Sequence, residues 1–189
     1  MCDWPTGDDQ MQKYHDTEWG VPVLNDKLHF EYLILDSFQA GLSWKTILHR
    51  RKGFKKAFAN FNYKKVAAFT KKDVARLMKD DGIIKNKLKV EAAISNAKLF
   101  MEVQKEFGSF NRYIWQFVNY KPIINKHKFS YEIPASTPES DKMAADMKKR
   151  GFKFCGTTIC YAYMQAAGMV NDHLVSCPRY NELIKPTKR

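Results

Sequence analysis

Three groups of residues in this 189-residue chain have types and spacings that could do chemistry. The first is the stretch Leu35 to Trp44, LDSFQAGLSW, where one carboxylate, Asp36, interrupts an apolar helix that loosens at Gly41 and is followed by Trp44. With Leu28, Phe30, Leu33, Ile34 and Phe38 around it, Asp36 sits on a helix buried on most sides, and a buried carboxylate requires a partner. Two readings are open. In one, Asp36 and Trp44 face a common pocket, the acid accepting hydrogen bonds and the indole offering a flat face to a ring. In the other, Asp36 bonds a neighbouring backbone amide and Trp44 is core.

The second group lies at the two ends of the chain. His173 and Cys177 are separated by three residues, a spacing that puts both side chains on one face of a helical turn. Cys2 and His15 could supply two further ligands. Two cysteines and two histidines would give tetrahedral zinc coordination with no open position, which is the structural kind of site. It would clasp the N-terminal loop to the C-terminus. The spacing is not that of a zinc finger. Asp16 and Asp172 stand beside two of these residues as acceptors for imidazole N–H groups.

The third group is a turn. A helix stops at Asp80-Asp81-Gly82, and a longer one starts at Asn86 and runs towards Phe107. The tip of such a helical hairpin offers free backbone amides, with Lys85, Lys87 and Lys89 nearby, and so forms a cradle for a phosphate. An ordinary turn between bundle helices has the same outline.

The elements that must position these groups are helical. Asp26 caps the helix carrying Asp36, and Ser43 caps the next, whose residues 44 to 58 turn Ile47, Leu48, Phe54 and Phe58 inward. The opposite face carries Arg50, Arg51, Lys52, Lys55 and Lys56. A short helix spans Asn62 to Phe69. Thr70 with Asp73 forms a capping box for the following helix, and Ser109 caps another through Phe117. Lys121 to Ser140, with Pro122, Pro134 and Pro138, is the longest irregular stretch. One further helix ends at Arg150 before Gly151, and another runs from Thr157 to Ala167 before Gly168. No segment alternates like a set of strands. The expectation is an all-α fold in a single domain over 1–189, as one body or as two helical lobes flanking a pocket.

Charge narrows the partners. The chain holds 32 Lys and Arg against 20 Asp and Glu, a net of +12. Residues 1 to 44 have two lysines against eight acids, whereas residues 45 to 89 have fifteen Lys or Arg against three acids, a local net of +12. A field of that size suits DNA or RNA; the competing reading is a solvated lysine surface. No apolar run approaches the ~18 residues of a membrane span, and no basic-then-apolar leader opens the chain, so a cytoplasmic protein is expected. The four cysteines are too few for a disulfide framework, and Cys155 and Cys160 have the apolar context of buried thiols.

Four motifs in order resemble one family across nearly the whole chain: YHDTEWGVP (Tyr14 to Pro22), QAGLSW (Gln39 to Trp44), DGIIKNKLKVEAAISNA (Asp81 to Ala97) and RGFKFCGTTICYAYMQAAGMVNDH (Arg150 to His173). The family is 3-methyladenine DNA glycosylase I. The resemblance implies a helix-hairpin-helix glycosylase fold, one structural zinc ion on Cys2, His15, His173 and Cys177, and hydrolytic release of 3-methyladenine from double-stranded DNA by base flipping. It implies that Trp4 and Trp44 stack on the base, that Tyr14 contacts it, that Asp36 is the acid bonding its edge, and that Gly82, Ile84, Lys85, Asn86 and Lys87 hold the DNA backbone. No lysine stands out as a Schiff-base nucleophile, so no strand-cleaving step is expected. One lesion per site calls for no more than a monomer.

The departures from the family gather at the pocket. The family's usual glutamate is Asp36 here, one methylene shorter, which withdraws the carboxylate by about 1.5 Å, half the span of a direct hydrogen bond of about 2.8 Å. Met11 replaces an aromatic of some members and Ala162 a serine, changes expected to enlarge or dry the pocket. Two alternatives therefore accompany 3-methyladenine release: altered alkyl-base specificity, and lesion binding without base release.

Overall fold

The computed structural model describes residues 2–184; Met1 and residues 185–189, the ends of the expected domain, lie outside them. Eleven α-helices carry the described chain: α1 Asp9–Thr17, α2 Asp26–Gln39, α3 Trp44–His49, α4 Arg51–Ala57, α5 Tyr63–Ala67, α6 Lys71–Leu77, α7 Lys87–Phe107, α8 Phe110–Trp115, α9 Pro138–Lys149, α10 Thr157–Ala166 and α11 Pro178–Ile184. The fold is helical as expected, with one addition. Two two-residue strands, β1 Ile123–Ile124 and β2 Val170–Asn171, pair in parallel. This short pairing fastens the long irregular stretch to the segment that leads into His173.

The local starts follow side-chain capping. Ser43 accepts from the Thr46 amide, Asn86 from Lys89 and Ser109 from Arg112, while Thr70 and Asp73 form the capping box. At α2 the cap is Asn25, which accepts from the amides of Lys27 and Leu28. Asp26 is freed by that shift. Its carboxylate instead accepts from the amides of Phe110 and Asn111 at 3.0 and 2.8 Å, and so holds the start of α8 against α2. The continuous helix expected over 44 to 58 is two, α3 and α4, broken at Arg50.

Helix α2 is the spine. Nine of its fourteen residues, from His29 to Phe38, are buried, which is why its sequence leaves so few polar positions. It packs against α7, α10, α3 and α8. A continuous core of aromatic rings, including Phe30, Phe38, Phe54, Phe58, Phe100 and Phe110, fills the space between them. A small second cluster of Cys2, Leu174 and Cys177 lies at the joined ends of the chain.

Candidate active site and metal centre

Asp36 and Trp44 share a cavity of about 350 Å³ with Trp4, Tyr14, Trp19 and Gln39. Each wall comes from a different element: α1 brings Tyr14, α2 brings Asp36 and Gln39, and the first residue of α3 is Trp44. The rings of Tyr14 and Trp44 lie 5.1 Å apart at 47°, and Trp4 meets Trp19 edge-on at 5.2 Å. The structure places Asp36 and Trp44 on one cavity. Asp36 Oδ2 is buried and finds no hydrogen-bond partner among the described residues, and the same holds for Trp44 Nε1. No backbone amide satisfies the acid.

Such a carboxylate cannot hold a charge at no cost. Burial pushes the Asp36 carboxyl well above its ordinary range, and it pushes the Tyr14 hydroxyl upward too, with the Tyr32, Asp36 and Glu18 charges adding to the effect. Burial thus disfavours the Asp36 anion, and a cation entering beside it would favour that anion. Against a ring bearing positive charge, the aromatic walls add cation–π attraction.

Sequence reasoning missed part of the lining. Gln39 lies three residues after Asp36 on the same helix face, a spacing that could have revealed it. Gln165 and Ala162 of α10 close the far side, and Asp3, Ser130 and Ile133 form the rim. Gln165 is held by Asp172, whose Oδ2 accepts from Gln165 Nε2 at 2.8 Å and from the Tyr161 hydroxyl at 2.6 Å. That bond uses one of the two amide hydrogens and fixes the side chain, whose carbonyl oxygen remains an acceptor. Met11, in contrast, is buried in the core and does not line the cavity, whereas Ala162 does.

Cys2, His15, His173 and Cys177 are all buried, and their four donor atoms lie within 4.8 Å of one another. His15 Nε2 and His173 Nδ1 are 3.1 Å apart, and the sulfur–nitrogen separations are 3.6, 3.7 and 3.9 Å. Bond lengths of about 2.0 Å to nitrogen and 2.3 Å to sulfur in a tetrahedron give edges of about 3.3 and 3.6 Å, so the donor set fits a small tetrahedral cation. Left to itself the Cys2 thiol resists losing its proton. Burial, with the Cys177 thiol beside it, pushes Cys2 up to about 11, a cost that a bound dication would offset.

The supporting contacts differ from expectation in two respects. Asp16 does orient His15, its carboxylate 2.7 Å from Nδ1. Asp172, however, is engaged by Tyr161, Gln165 and Asn125, and the acceptor for His173 Nε2 is the Trp19 carbonyl at 3.0 Å. His173 and Cys177 lie on a turn between β2 and α11, not on a helix. Gly20 explains the tight packing here. Its φ is +78°, and a Cβ would come within 3.2 Å of the His173 ring.

The turn between α6 and α7 carries Gly82, Ile84, Lys85, Asn86 and Lys87 in sequence, with Lys85, Asn86 and Lys87 exposed. Gly82 does not take the left-handed conformation of a helix stop. The turn packs on Gly53 of α4: a Cβ added at Gly82 would lie 3.1 Å from the Gly53 Cα, and one added at Gly53 would lie 2.1 Å from the Gly82 carbonyl oxygen. Lys85 pairs with Asp81, and Lys87 reaches Glu91 at 4.0 Å. Lys89 turns inward instead of joining the cradle, donating to the carbonyls of Phe38 and Ala40 at 2.8 and 2.5 Å. It thereby satisfies the last turn of α2, just beyond Asp36. Arg51 is also withdrawn from the basic face by Glu18 and Glu31, each at 2.7 Å.

The methyladenine glycosylase family pattern matches residues 4–180. DNA-3-methyladenine glycosylase 1 of Escherichia coli K12 is 45% identical over 179 residues, covering 95% of this chain and 96% of that protein. A crystal structure of 3-methyladenine DNA glycosylase I superposes with a TM-score of 0.91 at 44% identity, covering 93% of this chain and 97% of the other. A variant of 3-methyladenine DNA glycosylase I solved in complex with 3-methyladenine matches with a TM-score of 0.91 at 33% identity, over 94% of this chain and 95% of that one. With the pattern spanning almost all of the described residues and a relative this similar over its full length, the chain belongs to the methyladenine glycosylase family.

Proposed function

We propose that this protein excises 3-methyladenine from alkylated double-stranded DNA, hydrolysing the bond between the base and deoxyribose as a monofunctional glycosylase of the helix-hairpin-helix kind acting as a single domain. The observation that carries this is the unpaired carboxyl of Asp36 inside an aromatic cavity. N3-alkylated adenine is cationic while attached to the sugar. That charge makes it a good leaving group and gives the enzyme a handle that normal adenine lacks.

In this reading the damaged nucleotide leaves the stack and its base enters between Trp44, Tyr14 and Trp4. Asp36 then ionises against the positive ring, which favours the charged base over a neutral one in a dry cavity. The carbonyl oxygen of Gln165 is suited to accept from the exocyclic amine. Asp36 is short, so its contact with the base edge runs through a water or a small approach of the ring. Among the described residues the cavity is lined by aromatic, amide, carboxyl, aliphatic and small side chains, and the reading is hydrolysis by water.

The turn at Gly82, Ile84, Lys85, Asn86 and Lys87 is suited to the DNA backbone through amides at the start of α7, and the exposed lysines of α4 to α6 extend that contact. One structural zinc ion would be held by Cys2, His15, His173 and Cys177, and its chemistry is to fix thiolates and imidazoles in place. A cytoplasmic monomer is the setting that suits such an enzyme.

The test is identification of the bases released from methylated duplex DNA by the wild type and by Asp36→Asn, at equal concentration and fixed salt. Release of 3-methyladenine that drops sharply in the variant is expected. Release of other alkylated bases in preference would favour the altered-specificity reading, to which Ala162 points. Lesion-selective binding without release would instead leave a recognition protein.

A further inference from the structure

Two large aromatic side chains stand at the rim of the cavity without a partner in the core. Tyr131 is 82% exposed and Phe129 is 52% exposed. They stack on each other, with ring centroids 5.3 Å apart and planes 6° from parallel. Between them, Ser130 donates to the Asp3 carboxylate at 2.7 Å, and both residues line the cavity, as does Ile133.

The backbone beneath the rings is tied down. The Glu132 carboxylate accepts from the amides of Lys128 and Phe129 at 2.6 and 3.2 Å, and β1 fastens the stretch upstream. A short, tethered loop that holds two rings in water in one geometry has the form of a preorganised contact. Charge selects its occupant. Lys121, Lys126 and Lys128 are exposed along the same segment, while Glu132 is occupied by backbone amides. A polyanion carrying flat rings fits, and the loop is continuous with the cavity that takes the flipped base.

We propose that Phe129 and Tyr131 form a stacking platform that receives a nucleobase of the damaged DNA beside the flipped nucleotide. The proposal rests on the glycosylase reading. When a nucleotide leaves the duplex, a neighbouring base loses one stacking partner, and the outer face of Tyr131 replaces it. Stacking of this kind accepts any base, so the platform adds affinity without sequence preference.

The test uses a duplex with a tetrahydrofuran abasic analogue and 2-aminopurine in the adjoining position. Tyr131→Ala is expected to weaken binding about tenfold and to abolish quenching of the 2-aminopurine, while Tyr131→Trp keeps both. Affinity for free 3-methyladenine, read by tryptophan fluorescence, stays unchanged in Tyr131→Ala because the cavity is intact. Equal DNA affinity and equal quenching in wild type and Tyr131→Ala would overturn the platform. So would a parallel loss of free-base affinity, which would make Tyr131 part of the cavity wall. Failure of the glycosylase reading registers separately, as a wild type that neither binds nor releases 3-methyladenine.

Discussion

At the scale of single residues one oxygen stands apart, Asp36 Oδ2, buried and without a hydrogen-bond partner among the described residues. Because burial raises the folded-state pKa of this acid, the unfolded chain loses its proton first as pH rises. Asp36 therefore costs no stability below the usual carboxylate range of about 4, and costs increasing stability as pH climbs above it. Asp36→Asn removes that pH-dependent cost. Denaturant unfolding at pH 4.5 and 7.5 should find the variant gaining on the wild type by about 1–3 kcal/mol at the higher pH. Base release at pH 7.5 should meanwhile fall by about a hundredfold or more. A variant equally stable relative to wild type at both pH values would mean that Asp36 is already ionised and paired in the free protein. The sequence made the acid conspicuous, since a carboxylate among Leu33, Ile34 and Phe38 has no solvent to turn to. It left the partner open, because a backbone amide and a ligand satisfy a lone carboxylate equally well on paper.

At the scale of elements, the helix boundaries were largely written in caps, with Ser43, Thr70, Asn86 and Ser109 each accepting the expected amide. What was hidden were the side chains whose partners come from afar. Asp26 yields its cap to Asn25 and holds α8, and Lys89 leaves the basic hairpin to close the end of α2. Neither is visible in spacing, because both depend on which helices lie side by side. The Gly53–Gly82 contact is of the same kind, and it fixes how the α6–α7 turn sits on α4. Gly53→Ala should cost about 2–3 kcal/mol, since backbone and not a flexible side chain must give way. It should weaken duplex DNA binding more than free 3-methyladenine binding, as the turn is displaced while the cavity is not. Equal losses in calorimetric titrations with the two ligands would deny the turn a role in holding DNA. Lys89→Met, by leaving the Phe38 and Ala40 carbonyls without their donor beside Asp36, should cost about 1–3 kcal/mol and impair base release as well.

Across the whole molecule, the Cys and His cluster and the base cavity are built from the same pieces of chain. Cys2 faces the cluster while Asp3 and Trp4 line the cavity; on α1, His15 faces the cluster and Tyr14 the cavity. The pairing of β1 with β2 leads into His173 from one side and into the rim loop from the other. In the sequence, spacing paired His173 with Cys177, while Cys2 and His15 joined them only by residue type and by the family resemblance, because His15 and His173 lie 158 positions apart and come together through the fold. A metal at this cluster would consequently act on base binding without touching the base. Cys177→Ser should lower zinc content and depress Tm by about 5–10 °C. Zinc measured by atomic absorption and unfolding followed by circular dichroism would fall together. Affinity for free 3-methyladenine should drop as well, because Trp4 loses its anchor two residues away. Zinc content equal to that of the wild type would remove Cys177 from the ligand set. Lost zinc with undiminished base affinity would mean that the Asp3–Ser130 hydrogen bond alone holds the N-terminal wall of the cavity.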